Sequence, residues 1–489
     1  MPNRPTIFSL LLFFCCNCVR SGFGPRVAIN DSQTADTSSN PSNDAGRGAS
    51  WPLGPQWTKK REIIVGGSTS DLISFPIQAV VEWARDMRTD YSDLRFVDKD
   101  GKLLDYWIES SSSQNAKIWI KIPQIPKSGA VISFFYGNPN ALSQSSLSRT
   151  FPWVIESVDT GDIQHVSLAL DRQNQPHISY REQITKKLKY AKWNGGKWEN
   201  YIVDTAPDTG SHSSLALDAS GAPHIAYFDL GNQVVKYAVQ NGNSWQIRPV
   251  ENGGSDYGSY TSLALDANSI PHLSYRRGGT RELKYAKWDN GTWKIEPVDM
   301  NCTADTALKI VDGHPHIAYH LCDGSLFFAE PQGASWNSQP VDTQADYVTL
   351  AFDSLGRPHI LYYTFDYILK YAPYNNGQWK PQVIKPIGYP STFLEAYFDS
   401  YDRMHVGYQD YAQNHVLGYA RWNGTSWETE IVDANGDTGH DPSIAADSYG
   451  FPSISYVQNT LALKYAYRRK PASPEPTITF GEETTLPSP

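Results

Sequence analysis

The chain has 489 residues, of which 13% are aromatic, and this content excludes a polypeptide that is disordered throughout. It contains 36 Gly and 32 Pro, a composition typical of many turns and short strands rather than of long helices. The formal net charge of −9 is spread along the chain without a clustered basic face, so the composition argues against nucleic-acid binding.

The N-terminus has the pattern of a secretory signal peptide, which we place at residues 1–24. Arg4 supplies a positive charge, and an apolar run follows from Ile7 to Val19. This run is short for a bilayer span, and a retained N-terminal anchor is the alternative interpretation. We therefore predict a secreted or cell-surface protein with no transmembrane segment in the mature chain.

Two low-complexity segments flank the predicted domains. Residues 25–56 are rich in Ser, Asn, Asp, Gly and Pro, lack hydrophobic periodicity and are predicted to be a disordered linker. Residues 471–489 are rich in Pro, Ser and Thr and are predicted to be a tail, or the beginning of a further segment. Neither segment has the apolar content to bury a core of its own.

Residues 57–150 are predicted to form a compact β-rich unit, with clear alternation of polar and apolar residues from Ala116 to Ile122. Four motifs follow one another along it: Asp93-Leu-Arg-Phe96, Tyr106-Trp-Ile-Glu109, Ile118-Trp-Ile-Lys-Ile-Pro123 and Tyr136-Gly-Asn-Pro139. In these motifs the unit resembles a β-sandwich module of unknown function that recurs in bacterial and archaeal surface proteins. The resemblance implies an extracellular setting and glycan or surface binding, but no particular ligand.

The rest of the chain is an internal repeat. One signature recurs seven times: Pro176 to Tyr180, Pro223 to Tyr227, Pro271 to Tyr275, Pro315 to Tyr319, Pro358 to Tyr362, Met404 to Tyr408 and Pro452 to Tyr456. The spacings of 47, 48, 44, 43, 46 and 48 residues leave room for four short strands per repeat and for no helix. This period predicts a seven-bladed β-propeller over residues 151–470.

The ends of the repeat region predict a closed ring. The region begins with an unmatched fourth strand near Trp153 to Val158 and ends after a third strand near Leu463 to Tyr467. The first segment can therefore complete the last blade, which removes exposed sheet edges. The predicted fold class is all-β: a seven-bladed β-propeller with a preceding small β-sandwich domain.

The repeats resemble a prokaryotic extracellular propeller family whose blades carry Ser-Leu-Ala-Leu-Asp and Pro-His-Ile-Ser-Tyr sequences. Such propellers are similar in shape to sialidases and fucose-type lectins. The sialidase Asp-box is absent as such, because Asp289 to Trp293 is one residue too short between Gly and Trp. The resemblance therefore implies a lectin-like shape and an extracellular setting.

Candidate ligand-binding residues lie in two sets of loops that reach one propeller face, where function concentrates on a rigid scaffold. Asp and His pairs enter three neighbouring blades, blade three carries Asp and Tyr at the matching positions, and an Arg follows the signature Tyr of two blades. The residues are Asp162, His165, Arg181, Asp208, His212, Asp256, Tyr260, Arg276, Asp437 and His440. Turn chemistry alone is the alternative reading, because Asp often caps Gly-containing turns.

These residue types fit several functions. Carboxylates, imidazoles and a tyrosine ring suit a polyhydroxylated ligand, and they could also support acid–base catalysis or hold a divalent cation. We favour an exported binding protein that recognises glycan, with a polysaccharide lyase or glycosidase and a surface protein-interaction scaffold as alternatives. No catalytic set is identifiable, no cofactor or metal is predicted, and a monomer is expected.

Three other residue types invite an interpretation. The signature His (His177, His224, His272, His316, His359 and His405) recurs once per blade, so the six rings cannot meet at one metal, and each is expected to satisfy a buried backbone group between blades. The Trp that ends each repeat is expected to pack between sheets. Cys302 and Cys322, the two cysteines of the mature chain, lie in loops of one face and predict a disulfide.

Overall fold

The computed structural model describes residues 53–54, 56–252, 260–387, 394–469 and 476–486. These residues form 37 strands, one short helix, α1 (Leu147–Thr150), and one 3-10 turn at Tyr411–Gln413, so the predicted all-β class is confirmed. Among the described residues, no helix has the length and apolar character needed to cross a membrane. The predicted signal peptide lies outside the described residues, as does nearly all of the predicted linker.

Two sheets form the first unit, hereafter the N-terminal unit. Its strands are β1 (Lys59–Val65), β2 (Leu72–Glu82), β3 (Arg95–Val97), β4 (Tyr106–Ser111), β5 (Asn115–Ile125) and β6 (Ala130–Tyr136). One sheet has the order β3-β6-β1 and the other has the order β2-β5-β4. Both contribute to one hydrophobic core, into which the alternating side chains of Ile118, Ile120 and Ile122 are buried.

The C-terminal segment belongs to this unit, which corrects the predicted tail. Two strands, β36 (Ile478–Phe480) and β37 (Thr484–Thr485), pair antiparallel with β1. Ile478 and Phe480 pack against the core of the N-terminal unit, and the Phe480 ring meets Phe134 edge-on at 6.1 Å. The segment is too short to bury a core by itself, but it can cover the edge of an existing sheet.

Deleting residues 476–489 is therefore expected to destabilise the N-terminal unit by roughly 2–4 kcal/mol, because the apolar surface of two side chains and an edge of β1 become exposed. Urea denaturation followed by circular dichroism measures the loss. A chain that lacks only residues 487–489 is the control. Superimposable denaturation curves for the two truncated chains would contradict the assignment.

The repeats form seven sheets within the described part of the chain, numbered here by the chain order of their innermost strands. Strand β7 (Val154–Thr160) precedes them and pairs with β35 in sheet 7. Sheet 1 contains β8 (Ile163–Leu170), β9 (Pro176–Glu182), β10 (Lys187–Trp193) and β11 (Trp198–Asp204). Sheet 2 contains β12 (Ser211–Leu217), β13 (Pro223–Asp229), β14 (Val234–Asn241) and β15 (Ser244–Asn252). Sheet 3 contains β16 (Thr261–Leu265), β17 (Pro271–Arg276), β18 (Leu283–Asp289) and β19 (Thr292–Asp299). Sheet 4 contains β20 (Thr303–Val311), β21 (His314–Leu321), β22 (Leu326–Gln332) and β23 (Ser335–Asp342).

Sheet 5 has five strands: β24 (Ala345–Phe352), β25 (Pro358–Thr364), β26 (Ile368–Asn375), β27 (Gln378–Trp379) and β28 (Gln382–Pro386). Sheet 6 contains β29 (Glu395–Phe398), β30 (Met404–Asp410), β31 (Val416–Trp422) and β32 (Trp427–Asp433). Sheet 7 contains β33 (His440–Ala446), β34 (Pro452–Gln458) and β35 (Ala462–Tyr467), together with β7.

The innermost strands contact one another in a cycle. Each of β8, β12, β16, β20, β24, β29 and β33 contacts the next, and β33 contacts β8. Side chains bridge these neighbours: Ser167 Oγ accepts a hydrogen bond from the Leu215 amide at 3.0 Å, and Ser443 Oγ accepts one from the Leu168 amide at 2.8 Å. The second bridge joins the last sheet to the first, which is the arrangement of a β-propeller.

The Trp side chains pack between sheets as predicted. Each ring meets an aromatic ring of the preceding sheet with 5.3–5.5 Å between centroids: Trp198 with Tyr465, Trp245 with Tyr190, Trp293 with Tyr237, Trp336 with Tyr285, Trp379 with Phe328, Trp427 with Tyr371 and Trp153 with Tyr419. Most of these contacts are edge-on, the geometry that ring quadrupoles favour. The contacts form a second cycle, outside the innermost strands.

The signature His has a different partner from the expected backbone group. In five sheets its Nδ1 hydrogen-bonds a Tyr hydroxyl of the next strand in the same sheet at 2.5–2.6 Å: His177 with Tyr190, His224 with Tyr237, His272 with Tyr285, His359 with Tyr371 and His405 with Tyr419. The backbone amides are already paired in the ladder, so the ring bonds a side chain instead. In sheet 4 the Tyr is replaced by Phe328, and His316 stacks on that ring.

Candidate functional site

The loops of the seven repeat sheets lie at two opposite faces of the propeller. The face at which the innermost strands begin is called the upper face, and the loops from the second to the third strand lie there too. The loops from the first to the second strand and from the third to the fourth lie at the lower face, because each strand reverses the direction of the one before it. The predicted site residues that the structure describes lie at the upper face, in β8, β12, β33 and the segments that precede or pair with β8, β12, β16 and β33.

Three rings form a row at the upper face, hereafter the aromatic row: His165, His212 and Tyr260. The centroids of the His165 and His212 rings are 4.3 Å apart and the rings are stacked, and the His212 and Tyr260 centroids are also 4.3 Å apart. A β-bulge in β8 and another in β12 give His165 a φ of 57° and His212 a φ of 49°. Bulges re-aim side chains, which accounts for the meeting of residues from three separate sheets.

Other sheets place residues at the position that His165 and His212 occupy. These residues are Asp305 of β20, Tyr347 of β24 and Asp441 of β33, and the last two have φ values of 43° and 47°. Asp441 Oδ2 accepts a hydrogen bond from the His165 amide at 2.7 Å, and Asp305 Oδ2 accepts one from the Val348 amide at 3.0 Å. Our sequence prediction missed all three, although aligning the repeats at their Leu-Ala-Leu-Asp segments would have placed them beside His165.

A small axial cavity of about 90 Å³ lies between the innermost strands, below the aromatic row. Its lining includes His212, Tyr260, Asp305, Lys309 and Glu395. This volume accommodates a few water molecules but no sugar ring. A ligand of that size would therefore bind at the upper mouth of the cavity rather than inside it.

Burial sets the protonation of the row. Desolvation lowers the pKa of His212 to about 3 and lowers that of His165 well below its usual value, with the neighbouring His212 adding to the second shift. Burial raises the pKa of Tyr260 to about 12 and that of the Asp305 carboxyl to about 7. Both imidazoles are thus neutral and weakly basic at pH 7, and among these four groups only Asp305 titrates near neutrality.

The two predicted arginines make contacts within the protein. Arg181 is 3% exposed; it donates from Nη2 to Asp208 Oδ1 at 2.6 Å and from Nη1 to the Thr209 carbonyl at 2.7 Å. Arg181 and Asp208 therefore hold the loop between sheets 1 and 2. Arg276 is buried, with its guanidinium carbon 5.7 Å from the centre of the Tyr260 ring.

Of the Asp and His residues predicted to line this face, Asp437 and His440 are in contact. His440 Nε2 lies 2.9 Å from Asp437 Oδ1, and His415 Nδ1 lies 3.5 Å from the same oxygen. His440 stands one residue before Asp441 and therefore one residue away from the position of His165 and His212. The Asp162 carbonyl accepts a hydrogen bond from the Gln183 amide in the turn before β8. Asp256 lies outside the described residues.

The predicted disulfide is confirmed. Cys302 and Cys322 are bonded, with 5.5 Å between their Cα atoms, and the Cys322 amide donates to the Cys302 carbonyl at 2.7 Å. The bond ties the entry of β20 to the loop after β21 at the upper face. In the part of the chain that the structure describes, no three His, Cys, Asp or Glu side chains are grouped so that they could hold a metal ion.

A sequence-family profile for a domain of unknown function, DUF2341, matches residues 90–165. The match contains all four motifs of the N-terminal unit but covers too little of the chain to assign the whole chain to a family. No curated protein matches the chain in sequence.

Several solved structures are similar to this chain at low identity. AofleA from Arthrobotrys oligospora is 12% identical, with 58% of this chain and 90% of that chain covered and a TM-score of 0.41. The six-bladed fungal lectin of Aleuria aurantia is 16% identical, with 56% and 95% covered and a TM-score of 0.41. An ulvan lyase, a polysaccharide lyase, is 14% identical, with 63% and 94% covered and a TM-score of 0.44.

Proposed function

We propose that the protein is an exported binding protein, secreted or at the cell surface, that recognises carbohydrate through the upper face of a seven-bladed β-propeller. The cyclic contacts of the innermost strands support seven blades, and two sheets around one core support a β-sandwich for the N-terminal unit. The Cys302–Cys322 disulfide is consistent with an oxidising compartment, and therefore with export.

The aromatic row carries the proposal. His165, His212 and Tyr260 bring three half-buried rings together at the rim of a cavity that is itself too small for a sugar. Ring faces pack against the apolar face of a pyranose, and neutral imidazole and phenol groups both donate and accept hydrogen bonds to hydroxyls. Because both imidazoles are neutral at pH 7, the row suits an uncharged polyhydroxylated surface better than an anion.

The remaining upper-face residues have supporting roles in this proposal. Asp437 and His440 would hydrogen-bond hydroxyls at one side of the row, and Asp162 would do so beside His165. Arg181 and Asp208 would hold the loop that carries His212. Arg276 would fix the Tyr260 ring from behind, as its cation–π distance of 5.7 Å allows.

One observation favours a polysaccharide-active enzyme on the same face as the alternative. The Asp305 carboxyl has a pKa raised by burial to about 7, which suits a group that donates a proton near neutrality. The imidazoles do not strengthen this alternative, because a pKa near 3 makes His212 a poor base. In an enzyme, Asp305→Asn would abolish turnover and leave saccharide binding intact.

A glycan and polysaccharide screen of the mature chain tests the proposal. We expect the His165→Ala/His212→Ala variant to bind the best neutral hit at least about tenfold more weakly, because it removes two stacked rings that contribute on the order of 1 kcal/mol each. Isothermal titration calorimetry measures the change. The matched control is His314→Ala, at an exposed histidine that begins β21 beside a lower-face turn.

Reducing-end and unsaturated-product assays accompany every hit. Binding that is lost in the double variant and retained in the control, without product, supports the proposal. Product formation moves the function to the enzyme and to Asp305. If no saccharide binds, the carbohydrate proposal is wrong and a surface scaffold for protein partners becomes the better explanation.

A further inference from the structure

A second cavity lies between the N-terminal unit and the lower face of the propeller, away from the aromatic row. It has a volume of about 740 Å³, within the range of small-molecule sites. Two hydrogen bonds hold its walls together: Arg403 Nη1 donates to the Glu109 carbonyl at 2.9 Å, and the Tyr401 hydroxyl donates to Glu109 Oε1 at 3.0 Å. Trp107 lines the cavity, and its ring packs against those of Phe151 and Phe451, each with 6.1 Å between centroids.

Among the residues that line this cavity, Arg421 provides the evidence for a ligand. The residue is 7% exposed, and its Nη2 donates to Glu428 Oε2 at 2.5 Å. Its Nη1 is buried and has no hydrogen-bond acceptor among the described residues. A buried donor of a charged group without an acceptor is unfavourable, and an acceptor supplied by a ligand would offset this cost.

The hydroxyl groups in the lining also offer donors. Ser145 Oγ accepts a hydrogen bond from the Ile108 amide at 2.8 Å, Ser146 Oγ accepts one from the Arg149 amide at 3.3 Å, and Ser143 Oγ accepts one from the Ser145 amide at 3.3 Å. A hydroxyl that accepts from the backbone can also donate its own proton. Ser145 can donate to a ligand in this way, whereas Ser146 Oγ lies 3.1 Å from Ser148 Oγ and Ser143 is hydrogen-bonded to Tyr106. The cavity therefore favours a ligand rich in acceptors.

The acidic side chains of the lining are each engaged by a cation. The pairs are Asp90 with Arg88 at 3.1 Å, Glu109 with Lys117 at 3.0 Å, Glu428 with Arg421 at 2.5 Å and Glu430 with Arg468 at 2.6 Å. These pairings reduce the repulsion that a bound anion would otherwise meet. Trp107 adds an indole wall, with the Arg403 and Arg421 guanidinium carbons each 5.6 Å from the ring centre.

We infer that this cavity is a second carbohydrate site, which takes an acidic saccharide whose carboxylate accepts a hydrogen bond from Arg421. A charge-assisted bond to guanidinium is among the strongest that a carboxylate makes, and the serine hydroxyls complement the sugar oxygens. The cavity volume accommodates a disaccharide. This site is separate from the aromatic row, and either site can bind saccharide without the other.

Titration calorimetry of the mature chain with digalacturonate tests the inference, with the neutral disaccharide cellobiose and a short poly-glutamate peptide as comparison ligands. Digalacturonate is expected to bind with a Kd below about 1 mM, and the two comparison ligands at least tenfold more weakly. Arg421→Met is expected to weaken digalacturonate binding tenfold or more. Ser111→Trp, at an exposed position of the lining, is expected to do the same by filling the cavity while leaving Arg421 in place.

The His165→Ala/His212→Ala variant is the control, because it alters only the aromatic row and should bind digalacturonate normally. Thermal unfolding checks that Arg421→Met and Ser111→Trp are folded. Absence of digalacturonate binding to the native chain overturns the inference, as does binding that survives both cavity variants. If cellobiose binds as tightly as digalacturonate, the ligand carboxylate is not what Arg421 recognises. If the peptide binds as tightly, the cavity is not specific for saccharides.

Discussion

Acidification from pH 7 to pH 5 is expected to lower the unfolding temperature by more than about 10 °C, because folding keeps many imidazoles neutral. Burial lowers the pKa of His177, His320 and His405 to about 4. The same rings in the unfolded chain have a pKa of about 6.5 and bind protons first as the pH falls. The stability that depends on the neutral rings is therefore complete above about pH 6.5 and is lost progressively toward pH 4.

The size of the effect follows from the number of rings. A His with a pKa of about 4 when folded and about 6.5 when unfolded costs roughly 2 kcal/mol at pH 5. Nine described His residues have a lowered pKa: His165, His177, His212, His224, His272, His316, His320, His359 and His405. Four carboxyls act in the opposite direction, because burial raises the pKa of Asp305 to about 7, raises that of Asp447 to about 6, and also raises the pKa values of Asp346 and Glu395. The carboxyls are outnumbered, so the net effect of acid is destabilising.

Differential scanning calorimetry at pH 7, 6 and 5 and constant ionic strength measures this effect. The matched variant is His177→Gln/His405→Gln, which keeps a polar side chain at both positions but cannot titrate. It should be less stable at pH 7 and lose less stability between pH 7 and pH 5 than the native chain. The same slope in both proteins, or no slope at all, would show that the buried imidazoles do not control acid stability.

Glu430→Ala is expected to destabilise the protein by about 3–5 kcal/mol, because it leaves the Arg468 charge buried without its partner. The Arg468 side chain is 0% exposed; it donates from Nη1 to Glu430 Oε1 at 2.6 Å and from Nη2 to Glu430 Oε2 at 2.9 Å. Its guanidinium also lies 4.4 Å from the centre of the Trp153 ring. Arg468 directly follows β35, and its side chain contacts Trp153 just before β7 and Glu430 in β32.

Chemical denaturation measures the loss, and two variants calibrate it. Arg468→Met removes the buried charge itself and should cost less than Glu430→Ala, because no charge is left without a partner. Glu199→Ala, at a partly exposed carboxylate in the corresponding outer strand of sheet 1, should cost much less than Glu430→Ala. If Glu430→Ala costs no more than Glu199→Ala, the Arg468–Glu430 pair contributes little to stability.

The strands of the repeats were predictable because their evidence is local. Alternation and the recurring Pro-His-Ile-Ser-Tyr signature correspond to the buried second strand of each sheet, such as Pro176–Glu182 and Pro223–Asp229. Pairing of β7 with β35 agrees with the strand count at the two ends of the repeat region. The Cys302–Cys322 bond was predictable for a similar reason, since both cysteines lie in loops of one face in the same repeat.

The candidate site was only partly predictable. His165, His212 and Tyr260 were identified from their loops, and alignment of the repeats would have added Asp305 and Asp441 at the same position. Sequence does not reveal which of these side chains meet, because this depends on where each bulge interrupts the ladder. The pairing of Arg181 with Asp208 could not be predicted, because it depends on the direction in which each side chain leaves its backbone, and the sequence does not show this. The C-terminal strands were missed since a short strand has a recognisable pattern only beside the sheet that it joins.

The sequence alone determined the all-β class, the repeat period and the composition of each sheet, since alternation, turn residues and a fixed spacing act within a few tens of residues. Only the tertiary structure decided which side chains meet. It stacked His165 on His212 from two sheets, joined Ile478–Phe480 to β1 across the whole chain, and enclosed Arg421 between two units. Such contacts depend on bulges, side-chain directions and the packing of separate units, and none of these leaves a periodic pattern in the sequence.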